Sequence, residues 1–186
     1  GIAIAANDAD ALQPALTEAM DAGIKVISLD SAVNKDSRQT HIQQADPEKI
    51  GRGLIQAAYE MVDGNGGIAV LSATAQATNQ NLWIEWMKKE LEENPEKYAN
   101  TPLIKVAYGD DDPTKSTSET QALLTDSSIK VIIAPTTVGM LAAGKVLQDK
   151  QSDVKLTGLG LPSEMAPFIE DGTCPWMYLW NPVDIG

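Results

Sequence analysis

Short apolar segments alternate with amphipathic segments along most of the chain. The apolar segments predict seven β-strands, and the segments between them predict six α-helices. Strands separated by a dozen or more helical residues pair in parallel, because the chain crosses back over the sheet between them. The pattern therefore predicts an α/β fold with a doubly wound parallel sheet. The predicted strands are 2–6, 24–29, 67–72, 103–107, 130–134, 154–159 and 175–180, and the predicted helices are 9–22, 46–63, 78–94, 113–126, 137–150 and 163–171.

The longest stretch without a pattern, residues 31–45, divides the chain into two unequal parts. Two strands precede it, which are too few for an independent sheet, whereas the five strands after it can form a complete lobe. We therefore expect a remnant of a first lobe followed by a nearly complete second lobe. Because the chain starts directly in a strand and stops at a predicted helix start, we expect it to be a fragment of a longer protein.

Composition narrows the possible function classes. Lys and Arg total 14 against 26 for Asp and Glu, which gives a net charge of -12. This balance argues against nucleic acids and anionic membranes as partners, because both require basic side chains. The single cysteine, Cys174, excludes an internal disulfide or a cysteine-cluster metal site, and the single histidine, His41, excludes multi-histidine metal sites. No apolar segment approaches the 18 residues of a membrane-spanning helix.

The residues that follow the predicted strands are the candidates for ligand binding, because open parallel sheets bind ligands beyond the carboxyl ends of their strands. Amides, hydroxyls, a carboxylate and a tryptophan occur there. Such groups suit a polyhydroxylated ligand, whose hydroxyls donate and accept hydrogen bonds and whose C–H faces pack on an aromatic ring. The candidate ligand-binding residues are Asp30, Asn79, Gln80, Pro135, Thr136, Thr137, Leu161, Trp180 and Asn181.

Other chemistry-bearing residues have simpler interpretations. Trp83 and Trp86 lie three positions apart on a predicted helix, which is typical of a packed apolar stripe. The acidic run 110–112 is interpreted as a solvated loop that ends in a helix cap rather than as a cation site. We find no pair of a nucleophile and a base, so the sequence predicts no catalytic residue, metal or cofactor, and no enzyme.

The strand-end segments, taken in order, resemble the sugar-binding proteins of bacterial ABC importers, which have the type I periplasmic-binding-protein fold. The resemblance is strongest to the branch that contains rhamnose-binding and autoinducer-2-binding proteins, and it extends over almost the whole chain. The segments that carry it are 8–16 (DADALQPAL), 29–31 (LDS), 42–44 (IQQ), 79–83 (NQNLW), 108–111 (YGDD), 132–135 (IIAP), 158–162 (GLGLP) and 179–182 (LWNP).

The resemblance implies a non-catalytic protein that holds a sugar between two lobes and delivers it to the membrane permease of an ABC importer. It places residues 1–40 in the first lobe and first hinge crossing, residues 41–180 in the second lobe, and residues 181–186 at the start of a return crossing. It also implies an extracytoplasmic location, either in the periplasm or at the outer cell surface through a lipid anchor.

Individual positions refine the expected ligand. Asp30 matches the family aspartate that binds ligand hydroxyls, and Asn79 with Gln80 corresponds to an Asp-Gln pair in autoinducer-2 binders. Pro135 matches a proline whose backbone contacts that ligand. Ribose and glucose binders have an aspartate at the Thr137 position and a polar residue at the Trp180 position. The resemblance therefore favours rhamnose or a similar deoxy sugar.

Three alternatives remain open at this level. The first is an importer component that binds autoinducer-2. The second is the effector-binding domain of a sugar-responsive repressor, which uses the same fold behind a DNA-binding module. The third is an enzyme built on a doubly wound sheet, which the absence of catalytic groups argues against. The amino terminus of the full gene distinguishes the second, since an export signal and a basic DNA-binding module differ in sequence.

Overall fold

The computed structural model describes residues 1–181 and Val183 and contains seven strands, six α-helices and one short 3-10 helix (Lys35–Ser37) within that part of the chain. None of the described helices is long and apolar enough to cross a membrane. The strands are β1 (Ile2–Ile4), β2 (Val26–Leu29), β3 (Thr40–Ile42), β4 (Gly67–Ser72), β5 (Leu103–Tyr108), β6 (Ile129–Ala134) and β7 (Lys155–Gly158), and the helices are α1 (Gln13–Asp21), α2 (Pro47–Met61), α3 (Thr78–Glu93), α4 (Pro113–Leu123), α5 (Thr137–Asp149) and α6 (Pro162–Glu170).

The strands form two separate sheets, and every pairing within them is parallel. The first sheet has the order β1-β2-β3, and the second has the order β5-β4-β6-β7. After β4 the chain forms β5 on one side of β4 and then forms β6 on the other side of β4. The carboxyl ends of β4 and β6 therefore border a crevice of the kind where ligands bind in open α/β sheets. The predicted parallel α/β architecture is confirmed.

Two predicted features differ from the structure at the level of single strands. The stretch 31–45, predicted to lack a pattern, contains β3, which pairs with β2 through Ser28 opposite His41. This strand is three residues long and partly polar, so its sequence carries no periodicity. The predicted boundary between residues 40 and 41 falls inside β3, and the division into lobes stays a prediction.

The predicted last strand, residues 175–180, does not form, and the second sheet has four described strands. The segment instead lies along the outer edge of β7. Thr173 O accepts from Leu156 N at 2.9 Å, Gly158 O accepts from Tyr178 N at 2.8 Å, and one isolated bridge joins Leu159 to Tyr178. Pro175 lacks an N–H group, which interrupts a regular ladder at this point.

Apolar clusters cover both faces of the second sheet, as expected for a parallel sheet between helices. In β6, Ile132 and Ala134 pack into one cluster, whereas Val131 and Ile133 pack into the other. The first sheet has a much smaller core, whose buried members are Ala6, Leu16, Val26 and Val33.

The starts of α2 and α4 follow from their sequences. The Asp46 side chain accepts hydrogen bonds from the backbone N–H groups of Glu48 and Lys49, and the Asp112 side chain accepts one from Lys115. A proline follows each aspartate at the first helical position, where a missing N–H group costs nothing. Each Asp-Pro pair therefore marks the start of a helix.

A glycine sets the distance between α2 and α3. A Cβ atom added to Gly51 would lie 2.5 Å from the backbone oxygen of Trp83 and 2.5 Å from Trp86 Cβ. Gly53 lies two residues later on the same helix. A Cβ atom added to Gly53 would have no heavy atom closer than 3.9 Å. Only the first glycine is therefore required by packing.

We predict opposite effects for alanine at these two glycines. Gly51→Ala should lower the free energy of unfolding by about 1–3 kcal/mol, because α2 and α3 must move apart. Gly53→Ala should raise it by up to about 1 kcal/mol, because alanine favours the helix over glycine. Urea unfolding of both variants measures the difference. Equal stability of the two variants would show that the close contact at Gly51 is not a constraint.

Candidate ligand-binding site

A cavity of about 250 Å³ lies between the carboxyl ends of the two sheets. Pockets for drug-sized ligands are roughly 300–1,000 Å³, so this cavity suits a smaller molecule such as a single sugar ring. The residues that line it are Ala5, Ala6, Asn7, Asp30, Ser31, Asn79, Gln80, Trp83, Asp111, Pro135, Thr136, Thr137, Leu159 and Trp180.

Asp30 provides a carboxylate from the end of β2. Its backbone adopts a left-handed conformation with φ of 58°, which directs the chain out of the strand into a turn. Its Oδ1 atom accepts a hydrogen bond of 3.5 Å from Asn79 Nδ2. Burial raises the pKa of the Asp30 carboxyl above its ordinary value, and the Asn79 amide and the nearby His41 ring partly oppose this rise.

The first turn of α3 connects the cavity to both sheets. Gln80 is buried, and its Oε1 atom accepts hydrogen bonds from Ser72 Oγ at 2.7 Å and from Ala73 N at 2.8 Å. The Gln80 carboxamide is therefore fixed at the carboxyl end of β4. Two residues earlier, Thr78 Oγ1 accepts a hydrogen bond from Ala32 N at 3.0 Å, which fixes the same helix end to the segment after β2.

The segment after β6 forms a second polar wall. Pro135 and Thr136 follow the strand directly, and Thr137 begins α5. The Thr136 hydroxyl donates a hydrogen bond of 2.5 Å to Asp111 Oδ1. Asp111 has a left-handed backbone with φ of 52°, in the loop that follows β5. A carboxylate from the loop after β5 is thereby held at the cavity.

Two indole rings and a leucine make the cavity wall partly apolar. The ring centroids of Trp83 and Trp180 are 6.0 Å apart, and the ring planes are inclined by 53°. Trp83 is buried and Trp180 is partly buried, and buried Leu159 lies in the same apolar cluster. This surface can pack against C–H groups or a methyl group of a ligand.

The structure brings together seven of the nine residues predicted from the sequence. Leu161 and Asn181 do not line the cavity. Leu161 precedes the first residue of α6 and is 44% exposed. Asn181 is also exposed, and its Oδ1 atom accepts a hydrogen bond of 3.1 Å from Val183 N. A position just after a strand was a useful guide, but it does not determine the direction of the side chain.

Seven lining residues were not among the predicted set, and three of them show why sequence reasoning missed them. Asp111 was interpreted as part of a solvated run, and its left-handed backbone leaves no unambiguous mark on the sequence. Trp83 was assigned to a packed stripe, and it is buried as well as part of the cavity wall. Leu159 was placed inside a strand that ends one residue earlier. Closer attention to the acidic residues after β5 could have found Asp111.

The arrangement favours reversible binding through hydrogen bonds. Helices α3 and α5 both begin at the cavity without a side-chain cap, so the positive ends of their dipoles lie near Asp30 and Asp111. Within residues 1–181 and Val183, no group of three or more His, Cys, Asp or Glu side chains is placed to hold a metal ion.

Comparison with known families and structures gives this geometry a context. A family model described as a periplasmic binding protein domain matches residues 1–186. The chain belongs to the periplasmic binding protein family. Its α/β architecture is that of the type I periplasmic binding proteins, as the sequence predicted. The resemblance to the sugar-binding members of ABC importers is likewise confirmed by solved structures.

Three solved structures illustrate that resemblance. An ABC transporter solute-binding protein from Clostridium phytofermentas with bound L-rhamnose is 53% identical, with a TM-score of 0.92, and the match covers 99% of this chain and 59% of that one. A sugar ABC transporter protein from Actinomyces odontolyticus is 42% identical, with a TM-score of 0.74 and coverage of 98% and 59%. LsrB from Clostridium saccharobutylicum in complex with AI-2 is 25% identical, with a TM-score of 0.82 and coverage of 93% and 56%. The chain therefore spans less than two thirds of the length of these relatives.

We predict that Asp30→Asn stabilises the fold at neutral pH. Because the folded state raises the pKa of Asp30, the buried carboxylate opposes folding once it is ionised. The gain in melting temperature should be largest above the folded pKa, shrink as the pH falls through it, and vanish below about pH 4, where the carboxyl is neutral in both states. Thermal unfolding followed by circular dichroism from pH 4 to 8 measures this.

The exposed Asp153→Asn variant is the control for this measurement, since a surface substitution of this kind should change stability little at any pH. A loss of stability in Asp30→Asn at pH 7 would contradict the argument, because it would mean that the charged form is favoured by folding.

Proposed function

We propose that the chain is the ligand-holding part of an extracytoplasmic solute-binding protein that delivers a sugar to the permease of an ABC importer. The proposed ligand is L-rhamnose or a similar deoxy sugar. The observation that carries this proposal is a monosaccharide-sized cavity with carboxylate, amide and hydroxyl groups on one part of its wall and indole rings on another. The two sheets belong, on this proposal, to the two lobes that enclose the ligand, with the division after β3 and not between residues 40 and 41.

The polar groups explain why a sugar is favoured over a purely apolar ligand. The Asp30 carboxylate can accept hydrogen bonds from hydroxyl groups, and hydrogen bonds to charged groups are the stronger ones. Gln80 and Thr137 add an amide and a hydroxyl. Each sugar hydroxyl both donates and accepts, which such a mixed set can satisfy.

The apolar part of the wall favours a deoxy sugar over a fully hydroxylated one. Ribose and glucose binders have an aspartate at the position of Thr137. This chain has a neutral hydroxyl there. Trp83, Trp180 and Leu159 supply the apolar surface, which replaces the contribution expected from Leu161. A methyl group packed there is removed from water without leaving a hydroxyl unpaired. The rhamnose bound to the 53% identical relative supports the same choice.

AI-2 is the second candidate ligand, since the relative from Clostridium saccharobutylicum binds it. Asn79 and Gln80 occupy the positions of the Asp-Gln pair expected in such binders, and both line the cavity. The neutral Asn79 side chain lacks the charge of the expected aspartate, which makes rhamnose the preferred ligand.

We expect the full-length protein to bind L-rhamnose with a dissociation constant of about 1 μM or lower, which corresponds to roughly -8 kcal/mol. Isothermal titration calorimetry with rhamnose, ribose, glucose and AI-2 measures the order of affinities. Tighter binding of ribose or glucose than of rhamnose would overturn the deoxy-sugar proposal. Tightest binding of AI-2 would establish the second candidate, and absence of any binding would remove the proposed function.

We predict that Trp180→Ala weakens rhamnose binding in the full-length protein by about 1–3 kcal/mol, through loss of stacking and apolar burial. Trp176→Ala is the matched control, because Trp176 lies four residues earlier, is 41% exposed and does not line the cavity. The control should bind rhamnose with unchanged affinity. Equal affinities for both variants would exclude Trp180 from the binding site.

A further inference from the structure

The Trp83 indole has an unused hydrogen-bond donor. The residue is only 1% exposed, and its Nε1–H group makes no hydrogen bond to any described residue. A buried N–H group without an acceptor is costly, so native structures rarely leave one unpaired. Trp83 also lines the cavity. An acceptor that arrives with the ligand would satisfy this donor.

Asp111 has an unused acceptor at the same cavity. Its Oδ1 atom accepts from Thr136, and among the described residues no donor contacts its Oδ2 atom. Asp111 follows Asp110, and both have left-handed backbones, with φ of 52° and 55°. Left-handed residues other than glycine are uncommon, and consecutive ones occur where the surrounding structure holds them in place. Here the turn directs Asp111 to the cavity and leaves Asp110 exposed.

We propose that Trp83 and Asp111 contact the ligand directly and contribute to its specificity. The Trp83 N–H group donates to a ligand oxygen, and the Asp111 carboxylate accepts from a ligand hydroxyl. This inference rests on the proposed function and extends it, because it adds a second carboxylate to the site. Asp30 approaches the ligand from the first sheet, and Asp111 approaches it from the second.

The second carboxylate has a consequence for ligand choice. Two carboxylates at separate strand ends require a ligand that offers hydroxyl donors to both, so a ring with a single donor would leave one carboxylate unpaired. A ring carrying hydroxyls on two sides satisfies both carboxylates, and its own oxygens supply an acceptor for Trp83. The ligand class is therefore a neutral polyol, and an acidic sugar is disfavoured by repulsion from both carboxylates.

The Asp111 contact is tested with a neighbouring control. In the full-length protein, Asp111→Asn should weaken binding of the best sugar by roughly 10- to 100-fold, because it removes a charge-assisted hydrogen bond. Asp110→Asn keeps the same type of backbone and lies outside the cavity, so its affinity should equal that of the parent. Asparagine tolerates the left-handed conformation, which keeps the loop intact in both variants.

A derivative series separates direct contact from a structural role. Titrations use derivatives of the best-binding sugar that each lack one hydroxyl. The parent protein should bind the derivative that lacks the hydroxyl contacted by Asp111 more weakly than it binds the intact sugar. Asp111→Asn should lose most of this difference in affinity and should keep the differences for the other derivatives. Unchanged discrimination across the whole series would overturn the role of Asp111. A parent that binds no sugar would instead overturn the proposed function.

The Trp83 contact is tested in the same series. Trp83→Phe should weaken binding by about 10-fold and should change discrimination at one ligand oxygen, since a donor is lost. Trp86→Phe, on the same helix but outside the cavity, should bind like the parent. Thermal unfolding establishes that both variants fold. Parent-like affinity of Trp83→Phe would overturn the donor role, and if this variant does not fold, the Asp111 series decides the proposal.

Discussion

The buried carboxamide of Gln80 is the interaction on which the site depends. By accepting hydrogen bonds from Ser72 and Ala73, it fixes the start of α3 at the carboxyl end of β4. The same helix end reaches the first sheet through Thr78, and its next turn carries Trp83. Gly51 then allows α2 to lie directly against α3. The position of α3, the shape of the cavity and the contact between the sheets therefore all depend on the hydrogen bonds of Gln80.

The negative charge at the cavity is offset by helix backbone dipoles and not by basic side chains among the lining residues. The chain carries a net charge of -12, and two carboxylates line the site. The N-cap residues of α3 and α5 make no side-chain cap at this region, and the dipoles of the two helices favour negative charge nearby. Arginine and lysine are thus not required, which keeps the cavity small and suited to a neutral ligand.

Most of the fold could be predicted from the sequence because the central strands of the second sheet are apolar on both faces and α2 and α4 begin at Asp-Pro caps. The short strand β3 and the irregular segment 175–180 could not, since pairing with neighbours decides both of them and local pattern does not. The site was predictable where chain position suffices, as for Asp30 and Gln80. It was not predictable where side-chain direction decides, as for Leu161 and Asp111.

The segment along β7 has a consequence for how the molecule behaves among copies of itself. An open sheet has two edges whose free backbone groups can recruit a strand from another molecule. Residues 173–178 occupy one edge through scattered hydrogen bonds, and a continuous ladder is absent there. At the opposite edge, β5 has an exposed lysine, Lys105, in its middle. One edge of the second sheet is thus covered by backbone, and the other carries a charge that disfavours intermolecular β-addition.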